Sequence, residues 1–125
     1  MSAVQEPKLI AIIDDDKSVQ NALQDLLESE GLSALCFGSA EQFLASGAQH
    51  KASCLIVDIR MPGMSGLDLQ AKLNSECCRL PIIFITAHGD AKMRIQAMRD
   101  GAVEFLTKPF DNAVLLETVQ AALED

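Results

Sequence analysis

The sequence predicts a doubly wound α/β domain, a five-stranded parallel sheet covered by helices on both faces. Residues 9–13, 55–57 and 81–85 are apolar runs without alternation and rich in β-branching, the pattern of strands buried on both sides. Between the runs lie segments whose apolar residues recur at helical spacing, so strands and helices alternate along the chain. Right-handed crossovers then carry every strand's carboxyl end to one rim. With 125 residues, 49% of them hydrophobic, the chain makes one domain with a full core, preceded by a short polar tail over residues 1–7.

Each element has its own local justification. The run 9–13 ends in Asp14, Asp15 and Asp16, and Asp16 or Ser18 caps a helix with Val19, Leu23, Leu26 and Leu27 inward and Gly31 as its stop. Residues 33–37 form a short edge strand with Leu35 and Phe37 on one face. Ser39 and Gln42 make a capping box for a short helix that turns Phe43 and Leu44 inward, and residues 47–53 loop into the next strand. That strand delivers Asp58; Pro62 and Gly63 shape the loop after it, and Ser65 with Asp68 caps a helix carrying Leu69 and Leu73. The run 81–86 ends in Thr86, followed by the small Ala87. Residues 91–100 form the least hydrophobic helix, with Ile95 and Met98 as its apolar positions and Gly101 as its stop. Residues 103–106 make the fifth strand, and Lys108-Pro109-Phe110 leads to a helix over 113–123 with Leu115, Leu116, Val119 and Ala122 inward.

Composition narrows the function. A net charge of -8 argues against a nucleic-acid surface within the chain, since phosphate binding needs clustered Lys and Arg. No apolar run approaches the length of a membrane span, and the polar start is no secretion signal, so a cytoplasmic location is expected. Cys36, Cys54, Cys77 and Cys78 lack metal-finger spacing and are expected as reduced thiols, two or more of them buried.

The polar residues at the strand ends carry the chemistry. Singly, each has an ordinary explanation, because Asp serves turns and caps and Thr suits strands. Asp16 fits that explanation as a cap. Together, four of five strands end in reactive polar groups, and the rim collects Asp14, Asp15, Asp58, Thr86 and Lys108. Ligands bind at that rim in open α/β sheets. Crowded carboxylates repel one another unless a cation sits among them, and a hard divalent ion such as Mg²⁺ suits such an oxygen-only surrounding.

With Ile12-Ile13-Asp14-Asp15-Asp16, Val57-Asp58-Ile59-Arg60-Met61-Pro62-Gly63-Met64-Ser65-Gly66, Ile85-Thr86-Ala87 and Lys108-Pro109-Phe110 in place, nearly the whole chain resembles a bacterial two-component response-regulator receiver domain. The runs 84–90 and 101–106 look most like the FixJ branch, whose members usually carry a LuxR-type DNA-binding domain at the C-terminus. The resemblance implies the flavodoxin-like, CheY-like strand order 2-1-3-4-5. It implies a phosphorylation-operated switch in which Asp58 accepts a phosphoryl group from a sensor histidine kinase. Mg²⁺, or Mn²⁺, would be held by Asp15 and Asp58 directly, by Asp14 through water and by the backbone carbonyl of Arg60. Lys108 would neutralise a phosphoryl oxygen, Thr86 would donate a hydrogen bond to another, and the Lys108-Pro109 bond would be cis. Phe105 stands where the family often has Tyr, so its part in the switch would be by packing alone.

The weakly apolar helix over 91–100 is loosely anchored and expected to shift on phosphorylation, so output is expected on the face of the fourth helix, fifth strand and fifth helix, where Ile95, Arg99 and Glu104 would form a homodimer. DNA would be bound by a further domain beyond Asp125, where one is present. Arg60 and His88, two residues after Asp58 and Thr86, would overhang the site and set phosphate lifetime. The alternative is an aspartate-nucleophile phosphatase acting on small molecules. It would want a second acid-base Asp at the position held by Arg60 and a cap that no insertion offers. A flavin binder would want a phosphate-cradling loop where Asp14-Asp15-Asp16 stands.

Overall fold

The computed structural model describes residues 8–87 and 90–124. The strands are β1 (Leu9–Ile13), β2 (Ser33–Phe37), β3 (Cys54–Asp58), β4 (Ile82–Thr86) and β5 (Glu104–Thr107). They alternate with α1 (Lys17–Ser29), α2 (Ala40–Ser46), α3 (Gly66–Ser75), α4 (Ala91–Arg99) and α5 (Asn112–Leu123). A single 3₁₀ turn, Ala48–His50, interrupts the loop before β3. All pairings are parallel, and the sheet order is β2-β1-β3-β4-β5. Asp58 and Thr86 are the last residues of adjacent strands, and Asp58 pairs in register with Ile85.

Strand parity divides the core into two layers. Ala11, Ile13, Leu55, Val57, Phe84 and Phe105 face one way, onto Phe43 of α2, Leu69 and Leu73 of α3 and Ala97 of α4. Ile10, Ile12, Ile56, Ile83 and Ile85 face the other way, onto Leu23 and Leu27 of α1 and Leu115 and Val119 of α5. Each fully buried Ile, Leu or Phe contributes about 1.5–3 kcal/mol through loss of apolar surface to water. β1 and β3 are covered on both faces, which is why their sequences do not alternate.

The caps are mostly those the sequence predicts. Asp16 accepts from the Ser18 N–H at the start of α1, and Ser65 and Asp68 form a reciprocal capping box on α3. At α2 the box is displaced: Ser39 accepts from the Gln42 N–H, but Gln42 Oε1 takes the N–H of Gly38 rather than that of Ser39.

Two expectations about burial change, and α4 finds its own anchors. Leu35 shares a strand with the half-buried Phe37 yet is 45% exposed, because β2 is the sheet edge and α2 is too short to cover its start. Ile95 and Met98 are 56% and 38% exposed, which leaves Ile95 on the surface where an output face needs it, and α4 is anchored by buried Ala97 and half-buried Met93. Of the four free thiols only Cys54 is fully buried, and its burial pushes the thiol up to about 12, so it is inert. Cys36 and Cys78 are half-buried, while Cys77 is exposed in the turn that ends α3.

Candidate functional site

Three strand ends at one rim meet at a single ammonium group. Lys108 Nζ donates to Asp14 Oδ2 at 2.8 Å and to Asp58 Oδ2 at 3.0 Å, joining the ends of β1, β3 and β5. The Lys108-Pro109 peptide is cis, as the resemblance implies. The Lys108 N–H is tied to the carbonyl of Thr86 at 2.8 Å, so the lysine is registered against the end of β4. Thr86 itself is buried, one residue beyond the partner of Asp58.

Asp14 is fully buried, and protein donors occupy both its oxygens: the Asp16 N–H on Oδ1 at 2.9 Å and Lys108 on Oδ2. Burial raises its carboxyl above the ordinary range, against the lowering pull of Lys108 and the Asp16 N–H. Burial by itself would weaken the Lys108 ammonium, but its hydrogen bonds to Asp14 and Asp58 outweigh that and hold its pKa above the usual lysine value. Asp16 is held low by the Ser18 hydroxyl and N–H, consistent with a cap outside the cluster.

Asp58 is 7% exposed and accepts the Arg60 N–H on Oδ1 at 3.2 Å. Arg60's side chain is exposed, and its backbone therefore turns beside the Asp58 carboxylate. Close behind lies Gly66, whose missing Cβ would stand 2.6 Å from the Asp58 carbonyl oxygen and 3.0 Å from Ile59 Cα. Only a residue without a side chain lets α3 begin this close to β3.

Asp14, Asp15 and Asp58 can each bring a carboxylate oxygen within 4.8 Å of the others. This donor set fits a hard divalent cation, being all oxygen and partly open through exposed Asp15. The balance of charge fits as well, since three carboxylates against one lysine leave two negative charges.

The remaining described residues predicted from sequence lie on β5 and α4. Phe105 is 3% exposed and lies against Phe84 with ring centroids 6.5 Å apart. Ile95 and Arg99 are exposed on α4, and within the chain Glu104 pairs with Arg94 at 3.8 Å. Helix phase brings position 94 against β5 and leaves Arg99 in the last turn. His88 lies outside the described residues.

Two residues at the site were missed from sequence. Gln20 donates through Nε2 to the carbonyls of Asp14 at 2.6 Å and Phe37 at 3.3 Å. Its signal was a polar residue at apolar spacing, three and seven before Leu23 and Leu27. Glu41 of α2 accepts the Met64 N–H at 3.0 Å and so holds the loop after Asp58 from a neighbouring helix, which no local pattern signals.

Comparison with known proteins agrees with this geometry. The family "Response regulator receiver domain" matches residues 10–120. The chain is 46% identical to Nodulation protein W of Bradyrhizobium diazoefficiens over 116 residues and 48% identical to Response regulator protein TodT of Pseudomonas putida F1, covering 93% of this chain and 51% of each relative. It is 42% identical to Transcriptional regulatory protein FixJ of Azorhizobium caulinodans, across 91% of this chain and 54% of that one. The chain thus spans about half the length of these curated relatives. Among solved structures, response regulator StyR superposes with a TM-score of 0.88 at 42% identity, over 94% of this chain and 60% of that one. FixJ-N gives 0.84 at 36% identity, over 96% of both chains. With the acidic rim, the strand order and the match across residues 10–120 in agreement, this chain belongs to the response regulator receiver domain family.

Proposed function

We propose that the chain is a phosphorylation-operated signalling switch whose phosphoacceptor is Asp58. The observation that carries the reading is the Lys108 ammonium bonded to both Asp14 and Asp58, with the Asp15 carboxylate in reach of both. A carboxylate oxygen of Asp58 attacks the phosphorus of a phosphohistidine on a sensor kinase. The P–N bond breaks, a carboxyl–phosphate bond forms, and the electron pair leaves with the imidazole. Asp14, Asp15, Asp58 and the Arg60 carbonyl would hold Mg²⁺ or Mn²⁺, which supplies the positive charge that lets a phosphoryl dianion approach carboxylates.

Once Asp58 carries phosphate, Lys108 is free to exchange a carboxylate partner for a phosphoryl oxygen, acting as a point charge. Thr86 donates its hydroxyl to another oxygen. Movement of Thr86 changes the volume beside Phe105, and packing passes the change to α4 and β5. Arg60 and His88 govern the access of hydrolytic water. The chemistry on this chain is thus its own phosphoryl transfer and loss.

Output follows through the α4–β5–α5 face, where Ile95, Met98 and Val114 are exposed large apolar side chains. Phosphorylation closes this face into a homodimer with Ile95 at the centre and Arg99 and Glu104 at the margin. Transcription is the expected output, with DNA held by an additional domain, in keeping with relatives about twice as long. A cytoplasmic site of action suits a kinase-fed switch; no described helix is long and apolar enough to cross a membrane.

Incubation with acetyl phosphate and Mg²⁺ tests the acceptor. The wild type should form a hydroxylamine-sensitive acyl phosphate and Asp58→Asn should form none, because the amide is a poor nucleophile of the same shape. Labelling of the variant at the wild-type rate would sink the assignment. Sedimentation of the beryllofluoride-bound protein tests the face: a dimer lost in Ile95→Asp is expected, and a dimer indifferent to that change refutes it.

A further inference from the structure

We infer that Gln20 is a positioning residue for divalent-metal binding, its buried amide fixing the Asp14–Asp15 peptide and through it the direction of the Asp15 carboxylate. The inference rests on the metal reading of the acidic cluster given above.

Asp15 differs from its two partners in the cluster. Asp14 and Asp58 are buried and their carboxylates are held by Lys108, the Asp16 N–H and the Arg60 N–H. Asp15 is exposed, and among the described residues no protein group bonds its carboxylate. Its side chain therefore takes its direction from the backbone that carries it. That backbone is held on both sides. Beyond it, the Asp16 N–H is bonded to Asp14 Oδ1 at 2.9 Å. Before it, the Asp14 carbonyl accepts from Gln20 Nε2 at 2.6 Å. Because the peptide is planar, holding the Asp14 oxygen also sets the plane from which Asp15 Cα projects.

Gln20 is well placed to hold that plane. It is 5% exposed, on the inner face of α1 with Leu23 and Leu27, where an apolar residue would pack without the cost of burying an amide. The second hydrogen of the same Nε2 goes to the Phe37 carbonyl at 3.3 Å. Phe37 is the last β2 residue paired to β1, and its carbonyl also accepts the Asp14 N–H at 3.1 Å. One amide therefore clamps the ends of β1 and β2 together, directly beneath the residue that needs a fixed direction. Groups that orient metal ligands from behind typically change metal affinity by about 10–100-fold when removed.

The test is Mg²⁺ titration of the chain by calorimetry, repeated with Mn²⁺ by electron paramagnetic resonance, beside thermal melting of each variant. Gln20→Leu, which removes both donors at similar bulk, should weaken Mg²⁺ about 10-fold. Gln20→Asn keeps the amide but falls one carbon short of the carbonyls; it should weaken binding in the same direction, and it stands in should Gln20→Leu not fold. Val119→Ala, a cavity in fully buried α5 core far from the rim, should lower the melting temperature and leave metal affinity unchanged. Asp15→Ala reports on the metal reading itself. Wild-type affinity in the Gln20 variants with loss in Asp15→Ala overturns the inference alone. Equal weakening in Val119→Ala reduces the effect to general loosening and also overturns it. Undiminished affinity in Asp15→Ala removes the metal reading and the inference with it.

Discussion

Replacing Asp15 by Asn should make the metal-free protein more stable while removing its response to Mg²⁺. The Asp15 carboxylate can approach those of Asp14 and Asp58 within 4.8 Å. Lys108, bonded to both of them, supplies one opposing charge, so about one repulsion is left uncompensated. Two unit charges at 4.8 Å repel by about 3 kcal/mol at an effective dielectric near 20 and by about 1 kcal/mol in bulk water. Asp15 is exposed, so the lower figure governs and a gain of about 1 kcal/mol is expected. Urea denaturation in EDTA reads it as a midpoint raised by roughly 0.3–1 M, given slopes of about 1–3 kcal/mol per molar. Adding Mg²⁺ at about 100 times its dissociation constant should stabilise the wild type by about 2.7 kcal/mol and the variant far less, inverting their order. An Asn variant less stable than wild type in EDTA, or one that gains as much from Mg²⁺, would refute the reasoning.

Three further outcomes follow from the geometry. Gly66→Ala puts a Cβ 2.6 Å from the Asp58 carbonyl oxygen, with backbone on both sides unable to give way cheaply, and should cost about 1–3 kcal/mol by urea melting; an unmoved midpoint contradicts the close approach. Cys77 has a φ of 57° where its N–H bonds Asn74 O and the Cys78 N–H bonds Leu73 O, the helix-ending turn that favours glycine. Cys77→Gly should therefore stabilise by about 0.5–1 kcal/mol, the relief of left-handed strain exceeding the added freedom of the unfolded chain, and a destabilised variant would count against it. Asp14 has a folded pKa raised above 3.8, so between the two values the folded state binds more protons and stability falls as pH rises through the raised pKa. In EDTA that slope should be present in wild type and reduced in Asp14→Asn; identical slopes in urea midpoints across pH 4–7 would show that Asp14 is not its source.

What the chain order alone determined is the frame of the site. Non-alternating runs meant strands covered on both faces, helical spacing between them meant crossovers, and crossover handedness sent Asp14, Asp15, Asp58, Thr86 and Lys108 to one rim. Caps were legible for the same reason: Asp16, Ser39 and Ser65 act within three residues of themselves, and local backbone geometry decides their bonds.

Tertiary structure decided which groups on that frame touch. Lys108 and Asp14 stand 94 residues apart, and their contact depends on how closely β1, β3 and β5 end together. Gln20 reaches Phe37 across 17 residues, so its spacing marked it as inward but could not name the carbonyls it holds. On α4 the periodicity offered Ile95, Met98 and Arg99 without saying which faced the core; the helix settles on Ala97 and Met93, and Glu104 takes Arg94. Periodicity specifies a direction around an element, whereas burial and pairing also need the distance to the next element, and that distance is set only when the whole sheet and its two helical layers pack.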